Sequence, residues 1–378
     1  MSVVDTIVCD SSTVTLNVLD LLGPVEGTKV YDLTTSFTGT VDGVEPTTTD
    51  IAMGTPIVNQ LINRTNQVQT VTYNFRYRLN DPRNGDAPFC DHGVDTSITI
   101  YVNPTPRFLV TIADTVPCDS TTIFIDVTDQ ILAVEGSKVY DLTVTYNIGD
   151  VLGVSPNDEY DIDHDISDYL INLTDQYQIV RYNFRYRIRD DRPGQNFGYC
   201  DHGVDTTIIV YLEPTPKVNW TIVNDTICDG GEVNYSLSTP STAVFGVQYN
   251  VTVLNSYPEI TGFSDRNGLT DLSNPLFEDV FNSGDTARMI QYVIRPFTID
   301  PLAAQKCGGI RDTISVWVNP TPRVIPINIK ERICFEDFTD IELTSPTVMT
   351  LGIIEFDYTV AISNPTYVRG NTTPENVS

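Results

Sequence analysis

What most narrows the folding options of this chain is that it repeats itself. YVNPTPR at Tyr101 returns as YLEPTPK at Tyr211 and as WVNPTPR at Trp317. VEGTKVYDLT at Val25 returns as VEGSKVYDLT at Val134. Tyr31, Tyr140, Tyr249 and Phe356 each precede Asp or Asn and stand three places before a threonine. Asn63, Asn172 and Asn282 mark one turn, and Tyr73, Tyr182 and Tyr292 open the strand after it. These marks advance by 106 to 110 residues, the size of one two-sheet β-sandwich. Alternating runs such as TVTYNFRYR and TSITIYVNP are bounded by Pro, Gly and Asn, which reads as strands and turns throughout. Helical spacing in DISDYLINL (Ile166, Tyr169, Leu170, Leu173) predicts at most a short helical turn inserted in that architecture. The expected division is three full repeats, 1–105, 106–215 and 216–321, and the first half of a fourth over 322–378. Such a half suggests a piece of a longer chain.

The ordered series L-x-N, V-x-Y-x-F, a Cys-containing loop and V-N-P-T-P resembles the PKD-like and Ig-like repeats of very large Bacteroidetes surface proteins. The likeness is greatest to gliding-motility adhesins of the SprB kind, which are exported by type IX secretion. That resemblance implies an all-β chain of sandwiches placed end to end. It also implies an extracellular, outer-membrane-associated stalk without enzymatic activity. The partners so implied are an extracellular surface or polysaccharide and the secretion and motility machinery of the outer membrane. Two other readings share the fold: a carbohydrate-binding module array of a polysaccharide-processing protein, and a surface filament or S-layer component.

Charge agrees with a surface destination. Twenty-two basic residues against fifty acidic ones leave −28, a field that repels nucleic acid and anionic membrane. No apolar run is long enough to insert in a bilayer. Pro-Thr-Pro at each junction fixes the backbone and removes donors, so it reads as a short, stiff spacer with few contacts across it.

Seven cysteines form two interleaved series: Cys9, Cys118, Cys228 and Cys334 near repeat starts, and Cys90, Cys200 and Cys307 near repeat ends. One of each per repeat suggests the bridges Cys9–Cys90, Cys118–Cys200 and Cys228–Cys307, with Cys334 unpaired, although other pairings remain open. Bridges imply an oxidising compartment. CDHGVDT, at Cys90 and again at Cys200, becomes CGGIRDT at Cys307, so its histidine and first aspartate are dispensable. A catalytic or zinc constellation would not vanish from one of three equivalent copies, and one Cys with one His falls short of four ligands. The motif reads as a fastener. With three histidines in the chain, a nucleophile–base pair has almost no material.

Other candidates are weaker. Asp161, Asp163 and Asp165 in NDEYDIDHDISD offer hard oxygens to a weak Ca²⁺ site, the one cofactor considered, against the simpler reading of a solvated acidic loop. Tyr73, Phe75 and Tyr77 of YNFRYR share one strand face, expected to be core rather than a sugar platform. Asp-Thr or Asp-Ser at Thr6, Thr115, Ser120, Thr206, Thr226, Thr286 and Thr313 resembles the Bacteroidetes O-glycosylation signal, or else starts a strand.

Overall fold

A computed structural model describes all residues except 1, 4, 82, 84–86, 92, 94, 193–198, 271–274, 303–304, 365 and 370–378. The described chain is all-β, and its strands form successive sandwiches of the immunoglobulin-like kind. In the first, β1 (Ser2–Val3), β3 (Ser12–Asn17), β5 (Val41–Asp42) and β7 (Ile57–Asn63) make one sheet in the order β1-β3-β7-β5. The other sheet uses β2 (Ile7–Val8), β4 (Thr28–Phe37), β6 (Thr48–Ala52), β8 (Gln69–Asp81) and β10 (Thr96–Val102), with β9 (Ala87–Cys90) folded back on β8. Its order is β2-β10-β8-β4-β6, antiparallel except where β2 runs parallel to β10.

Alternation puts Val14, Leu16, Leu61, Val71, Tyr73, Phe75, Ile100 and Val102 in a closed core. The same two-sheet plan recurs over 108–212 and 219–319, each around its own core. Contacts gather the chain into two compact units, Met1–Ile171 with Gln178–Leu212, and Asn172–Tyr177 with Glu213–Ser378. The first unit holds two sandwiches. The second holds the third sandwich and a hairpin, Ile325–Asn328 paired with Ile341–Thr344.

Three repeated details explain the sequence marks. Tyr73, Tyr182 and Tyr292 are fully buried, and their hydroxyls donate to Asn59 (2.6 Å), Asp168 (2.6 Å) and Glu278 (3.1 Å). A buried hydroxyl without such a partner would be costly, so an acceptor recurs in a core position of the facing sheet. Gly43, Gly153 and Gly262 have φ of 78°, 82° and 94°, and a Cβ at any of them would lie within 2.1 Å of a neighbouring carbonyl oxygen. Only glycine fits there. The third detail corrects the expected helical turn. Ile166–Asn172 is a strand paired with Thr121–Ile125, with Ile166, Asp168, Leu170 and Asn172 turned inward. Asp168 hides the period-2 pattern because a polar residue stands at a core position, its carboxylate taken by Tyr182 and Ser155.

Candidate functional site

The long central strand gives each sandwich two chemically different ends. In the first sandwich Val8, Val102 and Gln69 lie side by side at the trailing end, where the chain leaves for the next repeat. Asn80 and Asp81, with the hairpin return through Cys90, lie at the leading end.

That geometry overturns the pairing of cysteines within a repeat. Cys9 follows Val8 at the trailing end, whereas Cys90 pairs with Leu79 at the leading end. Ten residues of strand separate the two levels, roughly 33 Å at about 3.3 Å per residue, and a disulfide needs Cα atoms within about 7 Å. Cys9 is instead bonded to Cys200, with Cα atoms 5.3 Å apart and a sequence separation of 191. Cys200 pairs with Ile188 at the leading end of the second sandwich, so the bond joins the trailing end of one repeat to the leading end of the next. Cys118 and Cys307 are also disulfide-bonded, and Cys90, Cys228 and Cys334 are free and exposed. The expected bridges Cys9–Cys90, Cys118–Cys200 and Cys228–Cys307 are therefore absent.

The staple closes a junction that is already hydrogen-bonded. Asn103, the first residue of Asn-Pro-Thr-Pro, is buried; its Oδ1 accepts the Glu135 N–H (2.8 Å) and its Nδ2 donates to the Glu135 carbonyl (2.9 Å). Main-chain bonds run from Val68 N–H to Ala133 O and from Leu132 N–H to Asn66 O, both 2.7 Å. Arg192 reaches back to Asp5 at 2.6 Å. The Pro-Thr-Pro segment is itself anchored. Thr105 Oγ1 donates to Asp10 (2.6 Å), whose other oxygen accepts the Asn63 N–H (2.7 Å), and Asn63 Nδ2 donates to Val102 O (2.8 Å). The link is thus a clamp, not a spacer with few contacts across it.

The second unit uses the same parts. Asp229 accepts from Asn282 N–H (2.8 Å) and Thr321 Oγ1 (2.6 Å), and Asn282 Nδ2 donates to Val318 O (2.8 Å). Asn319 accepts from the Thr350 N–H (3.1 Å), and Ala287 and Val348 donate main-chain bonds to Val348 and Asp285, both 2.8 Å. At the remaining link Glu213 replaces the asparagine. Its fully buried carboxylate accepts the Val244 N–H at 3.1 Å. Burial pushes its pKa up to about 7, against the opposing pull of that N–H and of Lys306.

Sequence reasoning missed the roles of Asn103, Thr105 and Asp10. Their signal was present, because Cys-Asp at Cys9, Cys118 and Cys228 recurs as faithfully as Pro-Thr-Pro.

In the fastener motif Asp91 pairs with Arg76 (3.5 Å) and Asp201 with Arg185 (2.7 Å). In the third copy Gly308 replaces the aspartate, and Arg295 lies over the Phe297 ring at 4.8 Å. His92 falls outside the described residues, and His202 lines a cleft with Cys9, Asp10 and Pro104. Asp165 accepts the Val127 N–H (2.8 Å), and among the described residues no group of three or more His, Cys, Asp or Glu is placed to hold a metal. Asp161 and Asp163 are exposed but are not gathered with Asp165 into such a group. Of the glycosylation candidates Thr115 and Ser120 are exposed; Thr6, Thr206, Thr226, Thr286 and Thr313 are half-buried. The Thr6 and Thr115 carbonyls accept the Tyr101 and Tyr211 N–H groups; Thr6 leads directly into β2, whereas no strand follows Thr115 until Thr121.

No protein-family model matches the sequence, and no curated protein matches it. Solved structures with a similar fold include a three-Ig fragment of titin, I67–I69, at 10% identity. It covers 84% of this chain and 95% of that one, with a TM-score of 0.40. The ICAM-5 D1–D4 ectodomain covers 93% and 99% at 9% identity and TM-score 0.38. The Escherichia coli adhesin FdeC covers 84% and 95% at 10% identity and TM-score 0.33. At such identities and TM-scores the likeness carries no argument about this chain.

Proposed function

We propose that this chain is a segment of a non-enzymatic adhesin stalk on the outside of a cell, of the kind used in gliding motility and exported by type IX secretion. The observation that carries the reading is the Cys9–Cys200 bond across a hydrogen-bonded junction. A covalent tie between successive sandwiches is useful to a chain that transmits pull, and it needs an oxidising compartment to form. The aromatic row of YNFRYR gives no support to a sugar-binding array, since Tyr73 and Phe75, like Tyr182 and Phe184, lie in the cores. The net charge of −28 suits a soluble shaft that repels its neighbours.

Antibody against this segment should label intact, unpermeabilised cells of the native host. Deleting one repeat pair from the native protein should shorten its reach and leave its binding specificity unchanged. Loss of binding to one particular glycan on that deletion would replace the stalk with a binding module.

A further inference from the structure

We infer that the leading end of the first sandwich is a docking face for the trailing end of another repeat of this kind, closed by a disulfide at Cys90. Docking of this sort follows from the junction chemistry alone and stands whether or not the chain serves as a stalk. The first unit contains both a filled and an open version of the same end.

In the second sandwich the loop 129–135 receives the first. It is held in shape by Lys138, whose Nζ bonds Asp129 (2.6 Å), Ile131 O (2.9 Å) and Leu132 O (2.6 Å). The first sandwich builds the same loop over 20–26, where Lys29 Nζ bonds Asp20 (2.6 Å), Leu22 O (2.8 Å) and Gly23 O (2.8 Å). The conformation is preformed, but its apolar residues are uncovered. Leu22 is 53% exposed where its counterpart Ile131 is 3% exposed, and Leu21 is 86% exposed.

Beside this loop lies a groove of about 400 Å³ lined by Leu19, Leu22, Phe75 and Tyr77. In the second sandwich the residue just after Pro-Thr-Pro-Arg, Phe108, packs edge-on against Tyr186, the counterpart of Tyr77, with centroids 5.3 Å apart. Tyr186 donates to Asp129 at 2.9 Å, whereas the buried Tyr77 hydroxyl finds no hydrogen-bond partner among the described residues. Cys90 completes the match. It pairs with Leu79 as Cys200 pairs with Ile188, and it is a free, exposed thiol where Cys200 is bonded.

The occupant is therefore a trailing end bearing a Cys-Asp cysteine, Asn-Pro-Thr-Pro and an aromatic just beyond. Cys228 in the third sandwich is a second free Cys-Asp cysteine, but Val324 follows Pro-Thr-Pro-Arg there and Asn319 is already engaged by Thr350, so the first trailing end, with Phe108, is the pattern for the occupant. On docking, the Cys90 thiol and the partner thiol each lose a proton. Their two electrons pass to a disulfide oxidant, which leaves as two thiols, and one S–S bond forms.

The test is a chain extended by a second copy of residues 1–109 fused ahead of Met1, which supplies Asn-Pro-Thr-Pro and Phe108 in register, oxidised with glutathione disulfide, alkylated and peptide-mapped. Cys90 should be joined to the added copy's equivalent of Cys9, while in the unextended chain it is alkylated. Alkylated Cys90 in the extended chain, or Cys90 joined to any other cysteine, would overturn the staple. In the extended chain carrying Cys90→Ser, amide exchange at Gly23 and Glu26 should still slow at least tenfold, since docking precedes oxidation. Unchanged exchange would overturn the docking face. In protein from the native host, an unreduced mass that doubles identifies a second copy as occupant, and an unchanged mass identifies the same chain. A free Cys90 thiol there would refute both.

Discussion

Glu213 stands where the other two described links carry Asn103 and Asn319, and the substitution has a consequence for pH. An asparagine satisfies the next repeat's N–H without charge. The Glu213 carboxylate does the same job while buried, and burial raises its pKa to about 7 from an ordinary 4.5. Between those values the folded chain holds a proton that the unfolded chain releases, so stability falls as pH rises through this window. The contribution is most favourable below about 4.5 and is lost above about 7. Glu213→Gln keeps the acceptor for Val244 and removes the titration. Chemical denaturation should show the variant equal to the parent near pH 4. At pH 8 it should be more stable by up to about 3 kcal/mol, the upper bound set by the size of the shift. A parent and variant with parallel pH profiles would show that the carboxylate is hydrated after all.

At the scale of elements, the link shows what periodicity can and cannot disclose. Strands were legible because alternation is a local property, and Val71, Tyr73 and Phe75 declare a buried face by themselves. The Asn turn and the Tyr strand were legible as repeat marks, but not as polar anchors, since Asn63 bonds Val102 across 39 residues. Pro-Thr-Pro was read through its prolines, and the threonine between them was overlooked. Thr105 makes a charge-assisted bond to Asp10, and such bonds contribute about 1.5–3 kcal/mol. Thr105→Val keeps the shape and deletes the donor. It should lower the stability of the first unit by roughly 1–2 kcal/mol. Its midpoint in urea should fall with no change in the slope of the transition. A change within error would mean that water replaces the hydroxyl at no cost.

At the scale of the molecule, the cysteines carry the lesson and the last prediction. Their two series were legible; their partners were not, because spacing along the chain does not say at which end of a sandwich a residue emerges. The available signal was strand length. A long run such as Gln69–Asp81 separates its two ends by most of the sandwich, and a cysteine returning from its far end cannot meet one beside its start. Joining Cys9 to Cys200 changes what the bond does under load. By loop-closure entropy alone, a loop of that size is worth roughly 5 kcal/mol. Mechanically it takes the 191-residue interval out of the force path, about 650 Å of contour at about 3.4 Å per residue. The clean measurement uses a chain carrying Cys118→Ser and Cys307→Ser, so that Cys9–Cys200 is the sole staple. Pulled between its ends by force spectroscopy, the oxidised chain should reach a final contour about 650 Å shorter than after reduction. Restoring the oxidised state should hide that length again. Equal contours in the two states would mean that the chain is not stapled across its first junction, and the proposed tension-bearing role would fall with it.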